Sequence, residues 1–142
     1  MAGDGKMRAL CESIANELSI AGRIRFMGML SREELLQAMQ VASVFLISSK
    51  HETFGVVAIE AMSCGLHVIS TPCGGTDDTV RGLGRITDGS EEDFALAMLE
   101  SFAERAAVKP QHLHDTMTAR YSYEAVAAKL KQVYSQLLQS RS

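Results

Sequence analysis

An α/β fold, in which a mostly parallel sheet is flanked by helices and the C-terminus is wholly helical, is predicted by three features of this 142-residue sequence. Short apolar runs alternate with segments of helical periodicity, the order that βαβ crossovers produce. Two of the runs, SVFLIS (43–48) and HVIST (67–71), are almost continuously apolar, as strands covered on both faces of a parallel sheet are. From KPQHLHDTMTARYS (109–122) onward no strand pattern returns.

The elements follow in order. The opening AGDG reads as the tail of a strand and its turn; the glycine-rich dinucleotide fingerprint is incomplete there. Residues 7–18 place Met7, Leu10, Cys11, Ile14, Ala15 and Leu18 at helical spacing, and RIRFMG (23–28) then alternates as a short strand does. SREE supplies a capping box, Ser31 as N-cap with Glu34 three residues on, ahead of a stripe of Leu35, Leu36 and Met39. After the strand at 43–48 a helix runs from about Gly55 to Cys64, and the strand at 67–71 is stopped by Pro72. GGTDDTVRG holds a short helix, GRIT (84–87) a short strand, and SEEDFALAMLESFAER (90–105) a long helix. Its N-cap is Ser90, and acids in its first turn suit the helix dipole. In the last helix Val126, Leu130, Val133, Tyr134 and Leu137 form one face. The expected order is αβαβαβαβα with further helices after it.

Composition narrows the function. A length of 142 residues suits one domain with its own core, and fractions of 46% hydrophobic and 22% charged residues are those of an ordinary globular protein. With a net charge of −3 and scattered Lys and Arg, no footprint for nucleic acid is visible. No apolar run approaches the ~18 residues of a membrane span, and the N-terminus lacks a signal core, which points to a cytoplasmic protein. Cys11, Cys64 and Cys73 are odd in number and lack metal-ligand spacing, so they read as small buried hydrophobes. The eight Met residues read mostly as core packing. His112 and His114, two apart with no Cys or acid cluster, read as a solvated loop, and no metal site is expected.

The stretch SSKHETFGVVAIEAMSCG (48–65) carries the functional signal, because two acids, Glu52 and Glu60, frame the hand-over from a buried strand to a helix. Ligands of open parallel sheets bind beyond the carboxyl ends of the strands. The following helix offers free N–H groups and a partial positive charge there, with Gly55 letting a ligand approach the backbone, so a phosphate fits its tip. Carboxylates are poor neighbours for phosphate but strong acceptors for sugar hydroxyls. A diphosphate flanked by hydroxylated rings, the anatomy of a nucleotide sugar, meets both demands. His51 either donates to a phosphate or donor oxygen or is an ordinary loop histidine. Gly74 and Gly75 either bring backbone close to the ligand or only turn the chain.

HETFGVVAIEAMSCGLHVIST (51–71) resembles the E-x7-E signature of retaining glycosyltransferases of family four, with Glu52 and Glu60 as the two acids. The residues before it, and GGTDDTV, GRITDGSEEDFALAML and ARYSYEAVAAKLKQVYSQLL after it, are similar to the family in order and spacing, so the resemblance covers nearly the whole chain. It implies a GT-B enzyme built of two Rossmann-like domains, the C-terminal one binding the donor without a required metal or other cofactor. Residues 1–142 would be a single donor-binding domain that lacks its N-terminal portion. The resemblance makes Glu52 the catalytic candidate, contacting donor-sugar hydroxyls, and gives Glu60 the ribose hydroxyls. The backbone around Thr53, Phe54, Gly55 and Val56 would meet sugar and phosphate, and Met27 and Gly28 would flank the base. The implied partners are a UDP-, GDP- or ADP-sugar and an N-terminal acceptor domain, which would also carry any peripheral membrane contact. His67 stands where the family usually has proline, and Asp77 and Asp78 stand near its usual glutamate.

The expected function is sugar transfer with retention of configuration when joined to that domain, the chain alone being inactive. The alternative is a stand-alone, non-catalytic module that acts by protein association, for which a homodimer through exposed apolar surface is the natural form. A sugar epimerase or phosphorylase of the same architecture fits the HETFGVVAIEAM motif less well.

Overall fold

The computed structural model describes residues 1–104 and 108–139. The chain forms two compact units, residues 1–41 and 42–142.

In the first unit, helix α1 spans Arg8–Glu17 and α2 spans Arg32–Val41, with a single 3-10 turn at Ala21–Arg23. The capping box forms as the sequence implies: the Glu34 amide donates to Ser31 Oγ at 3.2 Å, and the Ser31 amide donates to Glu34 Oε2 at 2.8 Å. Donation from the Ser31 amide, and then from its hydroxyl, holds the Glu34 carboxyl below its usual pKa. The strand expected at RIRFMG does not form. Residues 24–27 carry no strand, and Gly28 makes only isolated bridges to Ala2 and Gly3. A strand needs a continuous partner. The partner here is the first three residues, held by Met27 N to Met1 O at 2.9 Å and Gly3 N to Gly28 O at 2.7 Å.

The second unit holds a three-stranded parallel sheet in the order β1 (Val44–Ile47), β2 (His67–Ser70), β3 (Arg85–Ile86). Helix α3 (Val56–Ser63) connects β1 to β2, α4 (Asp77–Val80) connects β2 to β3, and α5 (Glu91–Ala103), α6 (Pro110–Tyr121) and α7 (Tyr123–Gln139) follow. The register pairs Val44 with His67 and Ile47 with Ser70, so all three strands end at one edge of the sheet. The central strand is covered as predicted: Val68, Ile69 and Ser70 are fully buried, together with Ala58, Ala61, Met62 and Val80. At β1, which pairs only with β2 among the described residues, Leu46 is 42% exposed. Its apolar run therefore lacks the cover that such a run implies.

Ser90 caps α5 by accepting from the Asp93 amide at 3.1 Å. Arg85 ties β3 to that helix through Asp93 at 2.6 Å and Glu100 at 2.7 Å. The Arg105 end of the predicted helix lies outside the described residues. Helix α7 carries the expected apolar stripe, yet none of its residues is buried, and Tyr134 is 65% exposed. Amphipathic periodicity marks a face that can pack and does not supply the partner.

Other expectations need correction. Of the methionines, only Met39, Met62 and Met117 are core, while Met1, Met7, Met27, Met29 and Met98 are exposed. Only Cys73 of the three free cysteines is buried; Cys11 and Cys64 are half-buried. His112 and His114 lie on α6, not in a loop, because Pro110 is tolerated at the first position of a helix, where its missing N–H costs nothing. His114 Nδ1 lies 2.7 Å from the Ser63 carbonyl, joining α6 to the end of α3.

His67, at the start of β2, lines a cavity of about 300 Å³ with Glu104, Lys109 and His112. Its Nδ1 is buried without a hydrogen-bond partner among the described residues. Burial lowers its pKa below 6.5, against the opposing pull of the Glu104 carboxylate. This group costs no stability above the unfolded value. As pH falls through it, the unfolded chain takes the proton first and the native state loses stability until His67 is protonated in the fold as well. Urea midpoints at pH 7.5 and 5.5 are expected to fall less for His67→Phe than for the wild type.

Candidate functional site

The loops that leave β1 and β2 run on together beyond the ends of the strands. The Thr71 amide donates to the Ile47 carbonyl at 3.0 Å, and Thr71 Oγ1 donates to the Ser49 carbonyl at 2.5 Å. Past Pro72 the pairing resumes: the Glu52 amide donates to the Cys73 carbonyl at 2.8 Å, and the Gly75 amide donates to the Glu52 carbonyl at 2.9 Å. Strand-like pairing of this kind fixes the backbone of an otherwise polar loop. Glu52 is half-buried, with Ser49 Oγ 3.4 Å from its Oε1.

Two glycines make the junction sterically possible. Gly55 is the N-cap of α3, buried, with a left-handed φ of +71°. A Cβ there would stand 2.6 Å from Thr76 Cγ2. At Gly75 a Cβ would stand 2.4 Å from both Phe54 N and Thr53 C, so backbone passes where a side chain would be. What passes so close to Gly75 is the protein's own loop, a cause that neither sequence reading of this glycine contained.

Helix α3 starts without a side-chain cap and without an acid in its first turn. Its first backbone bonds go from Ala58 and Ile59 to the Gly55 carbonyl. The amides of Val56 and Val57, at the head of the helix, suit an anion. Glu60 is the fifth residue of α3 and half-buried. Burial, and then the Glu60 carboxylate, push the Cys64 thiol pKa up. His51, Thr53, Phe54 and Val56 are exposed around this junction, and the Phe54 ring meets Tyr121 of α6 edge-on at 6.0 Å.

The structure thus gathers His51, Glu52, Thr53, Phe54, Gly55, Val56 and Glu60 on one loop–helix element. Met27 and Gly28 belong to residues 1–41, where Gly28 has a φ of +67° and pairs with Gly3. Sequence reasoning missed Ser70, Cys73 and Thr76, a buried hydroxyl–thiol cluster under Gly55, and the ring of Tyr121. The signal for the cluster was three small polar residues at the end of an apolar strand. No group of His, Cys, Asp and Glu among the described residues is arranged to hold a metal, and none of their helices is long and apolar enough to cross a membrane.

The profile of the family described as glycosyl transferases group 1 matches residues 1–102. The chain belongs to this family. It is 35% identical to D-inositol 3-phosphate glycosyltransferase of Corynebacterium urealyticum over 95% of this chain and 33% of that one. The fold matches sucrose-phosphate synthase of Thermosynechococcus elongatus with a TM-score of 0.80 and 28% identity, over 97% of this chain and 37% of that one. HepE of Anabaena, solved with UDP and glucose, shares the fold with a TM-score of 0.75 at 20% identity, over 95% of this chain and 39% of its own. The fold is that of the C-terminal domain of a GT-B glycosyltransferase. This group 1 member spans about a third of the length of the relatives it matches.

Proposed function

We propose that this chain is the donor-binding part of a retaining glycosyltransferase and takes a nucleotide-diphosphate sugar at the head of α3. One observation carries the reading: an uncapped helix start, free of acids in its first turn, stands between Glu52 and Glu60 on a loop that is hydrogen-bonded into place. The helix head offers N–H groups and positive potential to the diphosphate, and its value grows as the sugar–phosphate bond breaks and charge gathers on the leaving oxygen. Glu60 accepts the ribose hydroxyls, while Glu52, the catalytic candidate, accepts sugar hydroxyls and orients the anomeric carbon. The backbone of 53–56 meets sugar and phosphate. The solved complexes of HepE with UDP and with UDP-glucose support a uridine donor; GDP- and ADP-sugars have the same diphosphate anatomy. Transfer with retention needs an acceptor domain closed over the donor, and a cytoplasmic site of action belongs to the same reading.

Titration of the protein with UDP-glucose tests this. Hydrogen bonds to a charged group contribute about 1.5–3 kcal/mol, so Glu60→Ala is expected to weaken binding about 10- to 100-fold. Unchanged affinity in that variant would remove Glu60 from the site.

A second reading, a non-catalytic module acting by protein association, is favoured by one feature: the α7 stripe is exposed throughout, with Leu130 at 53% and Leu137 at 55%. It predicts a sedimentation coefficient that rises with concentration and falls back in Leu130→Glu. A monomer at all concentrations would count against self-association.

A further inference from the structure

We propose that Thr76 is the positioning residue that locks the sugar-contacting loop 52–55 to the end of β2, and so sets where Glu52 stands relative to the head of α3. The inference rests on the nucleotide-sugar reading for its consequence, but not for its geometry.

Thr76 is fully buried, and its two side-chain branches do different things. The hydroxyl belongs to a hydrogen-bonded chain whose direction follows from proton counting. Ser70 Oγ donates its one proton to the Thr71 carbonyl at 2.8 Å. At the 3.0 Å contact between Ser70 Oγ and Thr76 Oγ1, Ser70 must therefore accept and Thr76 donate. That uses the Thr76 proton, so at the 2.9 Å contact with Cys73 Sγ the thiol donates to Thr76. The chain runs from Cys73 through Thr76 and Ser70 to the backbone of Thr71. Ser70 is fully buried and Cys73 is 5% exposed, so water does not compete for these groups.

The methyl faces the other way. Thr76 Cγ2 stands 2.6 Å from where a Gly55 Cβ would be, so it fills the space that glycine leaves at the helix N-cap. The Cys73 carbonyl meanwhile accepts from the Glu52 amide, and the Gly75 amide donates to the Glu52 carbonyl. Thr76 thus joins a rigid strand end to the loop bearing Glu52 by a polar anchor on one side and a steric stop on the other. Neither Thr76 branch reaches the ligand-facing surface.

Two variants separate the branches: Thr76→Val keeps the methyl and removes the hydroxyl, and Thr76→Ser does the reverse. In the ligand-free protein, amide hydrogen exchange is expected to accelerate at least ten-fold at Glu52 and Gly75 in both variants. The Thr71 amide, bonded to Ile47 in the strand ladder, should change much less. UDP-glucose affinity is expected to fall at least five-fold and UDP affinity by less, because the displaced loop carries Glu52, which meets only the sugar, as well as part of the backbone that meets the phosphate. Equal acceleration at all three amides, or equal loss of UDP and UDP-glucose, would reduce Thr76 to ordinary core packing and overturn the proposal. Should the wild type bind neither compound, the nucleotide-sugar reading fails, and the exchange pattern alone still decides whether Thr76 positions the loop.

Discussion

Gly75→Ala is expected to be the most destabilising single-methyl change in the site, lowering the unfolding free energy by about 3 kcal/mol, at the upper end of ordinary overpacking. The added Cβ would lie 2.4 Å from Phe54 N and from Thr53 C, and 2.6 Å from Thr53 O. All three are backbone atoms, so no side-chain rotation relieves the overlap. Relief requires that the two loops separate, which breaks the bonds from the Glu52 amide to Cys73 and from the Gly75 amide to Glu52. For a chain of this size the loss corresponds to a melting temperature lower by roughly 10 °C. Urea unfolding with an unchanged m-value and a lower midpoint would show it; a midpoint within error of the wild type would mean that the loops are not packed this closely in solution.

Gly55→Ala is the second large effect, and it joins stability to binding. An alanine at a φ of +71° pays the left-handed penalty of about 1–2 kcal/mol. Its Cβ also meets Thr76 Cγ2 at 2.6 Å and Thr76 Cα at 3.2 Å. Gly82→Ala provides the control, since Gly82 has a φ of +78° with nothing within 4 Å of its Cβ position. That variant should show the conformational penalty alone, about 1–2 kcal/mol, and Gly55→Ala about 1 kcal/mol more. Because the clash pushes on the N-cap of α3, the proposed anion seat, UDP-glucose affinity is expected to drop at least ten-fold in Gly55→Ala and to be unchanged in Gly82→Ala. Equal stability losses in the two variants would show that the Thr76 contact gives way at no cost.

Local rules carried most of the secondary structure. The capping box at Ser31 and Glu34 and the N-cap at Ser90 are short-range hydrogen bonds between residues three apart, so spacing alone reveals them. The apolar run 67–71 marked a buried central strand because burial on both faces leaves no room for alternation. The same logic was incomplete for 43–48, where Leu46 is exposed, and for RIRFMG, where alternation was present but a continuous strand partner was not. Strand pattern is a local property, whereas a ladder belongs to two segments.

The same division runs through the candidate site. The sequence by itself determined the α/β class, the family, and the pairing of Glu52 with Glu60 around a helix start, since all of these are encoded in residue types and short spacings along one element. Only the tertiary structure decided that the β1 and β2 loops are zipped together, that Gly75 is small because backbone passes over it, and that Ser70, Cys73 and Thr76 converge beneath Gly55. Thr76 lies 21 residues from Gly55 in the chain, and no periodicity links the two. Their contact exists because parallel pairing of β1 with β2 brings both strand ends to the same edge of the sheet, and that proximity follows from the fold rather than from any local preference.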